Sequence, residues 1–370
     1  MIVQVHQEQL KSILKMTEEN NYYSVQAISN SALSVINPEQ GGSPMKFEKK
    51  ILNGEIEETP NPSFENGKII HKYVEDPSAF NVSDFSKPSD MMAAWVERTF
   101  AALPATITET NFLDSEVVIK SVALDVREDA YSKMKDETVL SKFWKEGLDY
   151  ISYLFLERGD SIIITPSQKE MLDEIIVSIN NNPMAYKLLF EQPGFAENIE
   201  AYNEKAIYWK KEVSPGESYK KVSINMKSLV DRFRLHFLSD KSIMVDLVDF
   251  KTTSSAISNF KYSFEKYRYF RQLAVYKEAI KEFIKQEFIL TGKYPEDVDI
   301  VFNYFIIAVE TRDLYQCRVF KISDKYIWQG EDEYEDLLSE VAYHQASGQW
   351  VRTREEFNLG FELLIPEECQ

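Results

Sequence analysis

Cysteine is scarce in this chain, which has 2 cysteines among 370 residues. That number argues against a disulfide framework and fits a reducing compartment. The sequence also lacks a P-loop, a glycine-rich dinucleotide turn, an H-E-x-x-H motif and the Cys/His spacing of zinc sites. These absences argue against the common nucleotide-binding and zinc-dependent classes of protein.

Long apolar runs are missing as well. No segment approaches the length needed to span a membrane, and the first twenty residues mix charged and polar types without the apolar stretch of a signal peptide. We therefore expect a cytoplasmic protein that does not contact membranes. A chain of 370 residues can bury one large core, or a core with an inserted subdomain.

Positive charge is in deficit, since the formal net charge is −18. The charge is uneven, however. Between Lys205 and Arg234 eight basic residues face only Glu212, Glu217 and Asp231. Two interpretations stay open: a basic channel on an acidic body, suited to a polyanion, or lysines along a solvated sheet edge.

Two segments rich in Val, Ile, Leu and Phe predict a β-hairpin. They run from Tyr219 to Phe237 and from Ile243 to Phe250, and the polar turn Leu238–Ser242 separates them. A chain that folds back at this turn brings Asp231 next to position 249 or 250 on the neighbouring strand. The hairpin therefore predicts that distant acidic residues meet.

Side-chain alternation along the second strand selects between the acids. Asp249 and Lys251 share one face, whereas Asp246 points to the other, so Asp249 is the predicted neighbour of Asp231. Adjacent carboxylates repel unless a cation lies between them, and hard oxygen ligands suit Mg²⁺ or Mn²⁺. Lys251 could then orient an attacking water or stabilise phosphate charge. A D-x-K triplet alone is common by chance, so the upstream Asp carries much of the weight.

Helical patterns flank this hairpin. The segment Phe264–Phe288 has helical periodicity and places Gln272 and Tyr276 on one face. Upstream, Gly67 and His71 lie in another helical segment. Taken singly, the first pattern is typical of an amphipathic helix with a solvated basic face, and the histidine is typical of a packed or surface residue.

The ordered set Gly67-x-x-x-His71, Asp231, Asp249-x-Lys251 and Gln272-x-x-x-Tyr276 resembles the RecB-type and RecE-type nucleases of the PD-(D/E)XK superfamily. The segments 28–34 and 44–47 are similar to the N-terminal part of those nucleases. The resemblance implies an α/β fold with a restriction-endonuclease-like αβββαβ core, a mixed central sheet and a helical insertion. It also implies cleavage of DNA with Mg²⁺ or Mn²⁺.

The resemblance further implies roles for individual residues. Metal ligands would be His71, Asp231, Asp249 and the backbone carbonyl of Phe250. Lys251 would act on the nucleophilic water, while Gln272 and Tyr276 would hold the DNA strand or the geometry of the site. RecB-type members also use a glutamate before the first Asp, for which Glu200 and Glu197 are both candidates. Four basic residues are predicted to contact DNA: Lys227, Arg232, Arg268 and Arg271.

The predicted organisation is an N-terminal segment 1–60, a nuclease domain 61–350 with a helical insertion at about 85–195, and a tail 351–370. Within the domain we predict strands at 197–202, 206–213, 219–237, 243–251, 298–309 and 314–322, with helices at 264–288 and 324–347. An aromatic cluster at 262–270 could stack the bases of a single strand, although such clusters are more often core packing.

Together these observations predict a phage-type exonuclease that resects double-stranded DNA ends for recombination or replication, in the host cytoplasm if it is phage-encoded. A single-strand annealing protein and further copies of the same chain are the partners that the resemblance implies. Two alternatives stay open: a non-catalytic DNA- or protein-binding module on the same fold, and a structure-selective endonuclease.

Overall fold

The structure is a computed structural model, and it describes residues 22–56, 62–85, 87–127, 131–159, 162–191, 198–216 and 219–361. Glu197, Cys369 and the last nine positions of the predicted tail lie outside these residues. The chain divides into two compact units. We call Met1–Asn61 with Ser178–Gln370 the core unit, and Pro62–Val177 the helical unit.

The described residues form twelve α-helices and seven strands. The α-helices are, in chain order, α1 Asn30–Ile36, α2 Pro44–Phe47, α3 Pro62–Glu75, α4 Asp90–Ala102, α5 Glu116–Asp125, α6 Asp136–Arg158, α7 Pro166–Asn180, α8 Pro183–Leu189, α9 Phe260–Lys266, α10 Tyr269–Ile284, α11 Asp324–Ser347 and α12 Arg354–Leu359. The strands are β1 Phe80–Val82, β2 Ile162–Ile164, β3 Ile199–Val213, β4 Val222–Ser239, β5 Ser242–Thr253, β6 Asp299–Glu310 and β7 Cys317–Lys321.

The core unit is built around a five-stranded mixed sheet of order β3-β4-β5-β6-β7. Strands β4 and β5 form the antiparallel hairpin that the sequence predicts, with the turn between Ser239 and Ser242. Strands β5 and β6 pair in parallel, so the chain must cross over between them, and α9 and α10 form this crossover. The other neighbouring strands are antiparallel. The fold is therefore mixed α/β, as predicted.

Helix α10 packs on one face of this sheet and contacts β3, β4, β5 and β6. Its apolar side chains join those of the strands in one buried cluster, because the alternation along β4 and β5 directs Phe233, Leu235, Val245 and Leu247 into the core. Helix α11 packs beside α10. A Cβ atom at Gly330 of α11 would lie 2.4 Å from the carbonyl oxygen of Phe270, so only glycine permits this close approach.

The predicted helix 264–288 is interrupted in the structure. It is divided into α9 and α10 by Arg268, whose φ of 55° lies in the left-handed region. Non-glycine residues seldom adopt this conformation, which the period of apolar residues does not reveal. The prediction of helix at 324–347 is confirmed by α11.

The helical unit has its own buried core, in which Trp95 and Phe143 pack with their rings 4.6 Å apart. It contains α3 to α6, most of α7, and the short parallel pair β1–β2. The predicted helical insertion began near residue 85, whereas this unit begins at Pro62 and includes the helix that carries His71. None of the helices in the described residues is both long enough and apolar enough to cross a membrane.

Candidate active site

Two acidic residues face each other across the β4–β5 hairpin. The register pairs Arg232 with Val248 and Arg234 with Asp246, and one further step places Asp231 opposite Asp249. Asp246 is engaged elsewhere, because its carboxylate contacts His236 at 2.8 Å and Asn303 at 3.0 Å. The hairpin thus brings together the two carboxylates that strand alternation selects.

The carboxylate of Asp231 is held at both oxygens. The backbone N–H of Phe250 donates to Oδ2 at 3.1 Å, and the hydroxyl of Tyr276 donates to Oδ1 at 3.3 Å. Gln272 in turn donates from Nε2 to the Tyr276 hydroxyl at 2.7 Å. The two α10 residues that the sequence places on one helical face therefore form a chain of hydrogen bonds that orients Asp231.

Asp249 is fully buried and incompletely bonded. Its Oδ1 accepts a hydrogen bond from Lys251 Nζ at 2.7 Å, but Oδ2 has no hydrogen-bond partner among the described residues. Burial raises the pKa of Asp249, Lys251 opposes the rise and Asp231 adds to it, so that the pKa reaches about 7. An unpaired buried carboxylate oxygen is costly, so Oδ2 is an acceptor that a cation could satisfy.

Lys251 is held as an ammonium ion. Burial by itself lowers its pKa, but the carboxylates of Asp249 and Asp231 outweigh burial and raise the pKa above its ordinary value. Its Nζ also lies 5.1 Å from the centre of the Tyr269 ring. A permanently charged lysine cannot take a proton from water at neutral pH, so its chemistry here is to donate hydrogen bonds and offset negative charge.

A divalent cation fits these residues. Asp231 and Asp249 supply the hard carboxylate oxygens that Mg²⁺ and Mn²⁺ prefer. Among the described residues, Asp249 Oδ2 accepts no hydrogen bond and so could coordinate a cation. In the described part of the chain, no three His, Cys, Asp or Glu side chains are grouped so as to hold a metal. Mg²⁺ is often bound through one or two carboxylates and keeps several waters, so two carboxylates are sufficient.

Glu204 is an acidic residue of this region that sequence reasoning missed. Strand β3 pairs Asn203 with Arg232 and Lys205 with Val230, which leaves Glu204 opposite Asp231. Its φ of 44° marks a local irregularity of the strand. Burial is the largest cause of the raised pKa of Tyr276. The carboxylates of Asp231 and Asp249 raise this pKa further, and Glu204 adds to the rise. Glu204, Asp231 and Asp249 therefore lie opposite one another on the adjacent strands β3, β4 and β5.

The sequence did contain a trace of Glu204. The predicted strands 197–202 and 206–213 leave a polar gap at 203–205, and the structure closes this gap into one strand, β3. A polar gap between two predicted strands, placed opposite the predicted site residue Asp231, is the pattern that would have indicated Glu204.

The other predicted ligands are placed differently. Glu200 lies opposite Leu235 and accepts a hydrogen bond from the Tyr202 hydroxyl. It is four positions along β3 from Glu204, a separation of about 13 Å at the rise of an extended strand. His71 is half-buried on α3 of the helical unit, and its role as a metal ligand stays a prediction.

Arg271, predicted to contact DNA, is fully buried and bonded inside the protein. Its guanidinium donates to Asn30 at 2.9 Å, Glu333 at 2.6 Å, Ser34 at 2.6 Å and Gln40 at 2.9 Å. These contacts join α1 to α10 and α11. Burial leaves the guanidinium no access to a phosphate in this structure, and DNA binding by Arg271 stays a prediction without support from the geometry.

The three other basic residues predicted to contact DNA also have protein partners. Arg232 is buried and donates to the carbonyl of Leu188 at 2.6 Å. Lys227 is buried and donates to the carbonyls of Tyr22 and Val25. Arg268 forms ion pairs with two glutamates of the core unit, Glu39 and Glu333. These contacts indicate structural roles for the three side chains, and their contact with DNA stays a prediction.

Comparison with known proteins adds little. No protein-family model matches the chain, and no curated protein matches it. Among solved structures, the chain is similar to a "putative exonuclease" from Eubacterium rectale, with 14% sequence identity, a TM-score of 0.43 and 94% of each chain covered.

Proposed function

We propose that this chain is a divalent-metal-dependent nuclease that hydrolyses phosphodiester bonds of DNA. One observation carries the proposal: Asp231 and Asp249 face each other beside Lys251, and a buried oxygen of Asp249 has no partner among the described residues. The order β3-β4-β5-α10-β6 is compatible with a PD-(D/E)XK core. This is the fold implied by the resemblance to RecE-type and RecB-type nucleases.

The two carboxylates and the carbonyl of Phe250 would hold Mg²⁺ or Mn²⁺. When bound, such an ion polarises a phosphoryl oxygen and lowers the pKa of a coordinated water. Asp231 is suited to this task because Phe250 and Tyr276 fix both of its oxygens. A ligand that is already oriented costs little reorganisation on binding.

The other side chains near the two carboxylates have separate roles in the proposed reaction. Lys251, held as an ammonium ion, donates to the attacking water or to a phosphate oxygen and offsets negative charge. Tyr276 and Gln272 keep Asp231 in place. Glu204, opposite Asp231, is an additional candidate proton acceptor.

We further propose that the substrate is a double-stranded DNA end and that the product is a resected end, which a single-strand annealing protein would bind. This part of the proposal rests on the resemblance of the motifs. An assembly of several copies of the chain belongs to the same proposal.

The experiment is to incubate linear, nicked-circular and closed-circular DNA with the protein and Mg²⁺. Loss of only the linear form supports an exonuclease. Cutting of closed circles would instead identify an endonuclease, and no change in any form would favour a binding module.

The matched variants are Asp249→Asn and Asp246→Asn. Both replace an aspartate of β5, but Asp246 is bonded to His236 and Asn303 away from the site. We expect the first variant to lose activity and the second to retain it. Equal activity of the two would rule out the proposed site.

A further inference from the structure

The aromatic residues around the α9–α10 junction divide into two groups. Phe264 and Phe270 are buried and belong to the core of the core unit. Tyr262 and Tyr267, in contrast, are 69% and 52% exposed. Core packing therefore explains only part of the cluster, and two large aromatic rings remain available at the surface.

Lysines alternate with these exposed rings. Lys266 Nζ lies 5.8 Å from the centre of the Tyr262 ring and 5.5 Å from that of Tyr267. Lys261 is also well exposed and lies 3.8 Å from Glu265. Rings interleaved with positive charge are the combination that proteins use to bind single-stranded nucleic acid, where bases stack and phosphates are attracted.

The exposed rings are connected to the candidate active site. The Tyr267 ring centre lies 5.8 Å from that of Tyr269, and Tyr269 in turn lies 5.1 Å from Lys251 Nζ. Since Lys251 is bonded to Asp249, a short series of contacts leads from the carboxylates to the surface. A strand that crosses the site would meet these rings next.

The geometry of this junction is fixed by Arg268. Its backbone is left-handed, with φ of 55°, and its side chain is paired with Glu39 and Glu333. Such a conformation persists only where the surroundings hold it. Tyr267 and Tyr269, on either side of Arg268, are therefore presented at a set angle.

A polar pocket adjoins the rings. It has a volume of about 400 Å³ and is lined by Ser255, Ser258, Asn259, Lys261, Tyr262 and Ser263. Hydroxyl, amide and ammonium groups are the usual donors to backbone phosphates. The pocket offers no carboxylate among these lining residues, which suits an anionic strand.

We propose that Tyr262, Tyr267, Lys261 and Lys266 form a stacking surface for unpaired bases of the DNA strand that enters the Asp231–Asp249 site. This inference rests on the proposed nuclease function and names the form of its substrate, a strand whose bases are unpaired next to the cleavage site. The tyrosine rings stack on the bases, and the lysines and the polar pocket contact the phosphates.

The test measures binding in EDTA, where metal-dependent cleavage is suppressed. The probes are a fluorescein-labelled single-stranded oligonucleotide and a strand of the same length made of abasic residues, and the readout is fluorescence anisotropy. The variants are Tyr262→Ala with Tyr267→Ala, and Tyr262→Phe with Tyr267→Phe. Tyr186→Ala serves as control, since Tyr186 is a similarly exposed tyrosine, at 48%. It lies on α8, which packs on the face of the sheet opposite to α10.

We expect the double alanine variant to raise Kd for the normal strand at least about thirtyfold, because each of the two rings stacks on a base. Its Kd for the abasic strand should stay unchanged. The double phenylalanine variant and Tyr186→Ala should bind as the wild type does.

An equal loss on both strands, an unchanged Kd, or no binding of single strands by the wild type would each overturn the inference. Failure of the nuclease proposal looks different. In that case the wild type binds the normal strand through its rings but degrades no DNA with Mg²⁺ or Mn²⁺.

Discussion

Two buried charged clusters of the core unit, one around Arg271 and one around Asp249, are bonded in opposite ways. Around Arg271, the guanidinium donates to four side chains, and Glu333 also accepts a hydrogen bond from Asn37. Around Asp249, one carboxylate oxygen is bonded to Lys251 and the other has no partner among the described residues. Both clusters are buried, but only the first satisfies its charges.

The difference separates a structural cluster from a candidate functional one. A buried charge with its hydrogen bonds made holds elements together, and it leaves little capacity to bind anything else. A buried acceptor that is left open reduces stability until another group arrives. Saturation of hydrogen bonds, more than charge or burial, therefore distinguishes the two clusters.

The largest effect is expected at the cluster around Asp249, which we call the open cluster because one carboxylate oxygen has no partner among the described residues. Asp249→Asn removes the negative charge that would hold the divalent ion, and we expect DNA cleavage to fall about a thousandfold. The variant also loses the charge that pairs with Lys251, so the metal-free thermal midpoint of each protein serves as its own reference. Mg²⁺ or Mn²⁺ should raise the midpoint of the wild type but not that of the variant. A metal-induced rise of equal size in both proteins would argue against ligation by Asp249.

The second largest effect is expected at the cluster around Arg271, in which every guanidinium nitrogen donates a hydrogen bond. Arg271→Met leaves Glu333, Asn30 and Ser34 without their shared donor, and we expect unfolding free energy to fall by about 3 kcal/mol. Denaturant unfolding measures the loss. Arg352→Met is the control, since Arg352 pairs with Glu356 at the surface. If Arg271 binds DNA instead, its replacement will weaken binding while leaving the unfolding midpoint in place.

Glu204→Gln tests whether the open cluster extends to β3. Removal of its charge opposite Asp231 should lower cleavage by about tenfold to a hundredfold, the range found for groups that support a metal site. Glu200→Gln, on the same strand but opposite Leu235, should be near wild type. The reverse ranking of these two variants would restore Glu200 as the relevant glutamate.

The smallest effect is expected for Tyr276→Phe, which deletes the hydroxyl that bonds Asp231 and Gln272. Loss of one hydrogen bond corresponds to about 1 kcal/mol, so we expect about a fivefold drop in cleavage rate. Tyr202→Phe removes a hydroxyl bonded to Glu200 and provides the matched control. Equal rates for both variants would show that Asp231 needs no support from α10.

Much of the site's framework could be predicted from local pattern. The β4–β5 hairpin follows from two apolar segments and a polar turn, and this alone makes Asp231 and Asp249 neighbours. Spacing of four places Gln272 and Tyr276 on one helical face, where they do bond each other.

What the sequence did not show depends on distant partners or unusual backbone. The partners of Arg271 on α1 are more than two hundred positions away, so no local pattern distinguishes it from a solvated arginine. Glu204 and Arg268 both have positive φ, which only the surrounding fold can impose. The position of Glu204 was missed for another reason, because the prediction divided β3 into two strands with a gap at 203–205.

Gly330 has a consequence for how rigid the site is. Its missing side chain lets α11 press against the backbone of α10 at Phe270, with no room for even a methyl group. Helix α10 packs against both α11 and the sheet, and its Tyr276 hydroxyl donates a hydrogen bond to Asp231. A shift of α10 towards α11 would therefore meet backbone atoms, and this close helix–helix contact restrains the position from which Tyr276 reaches Asp231.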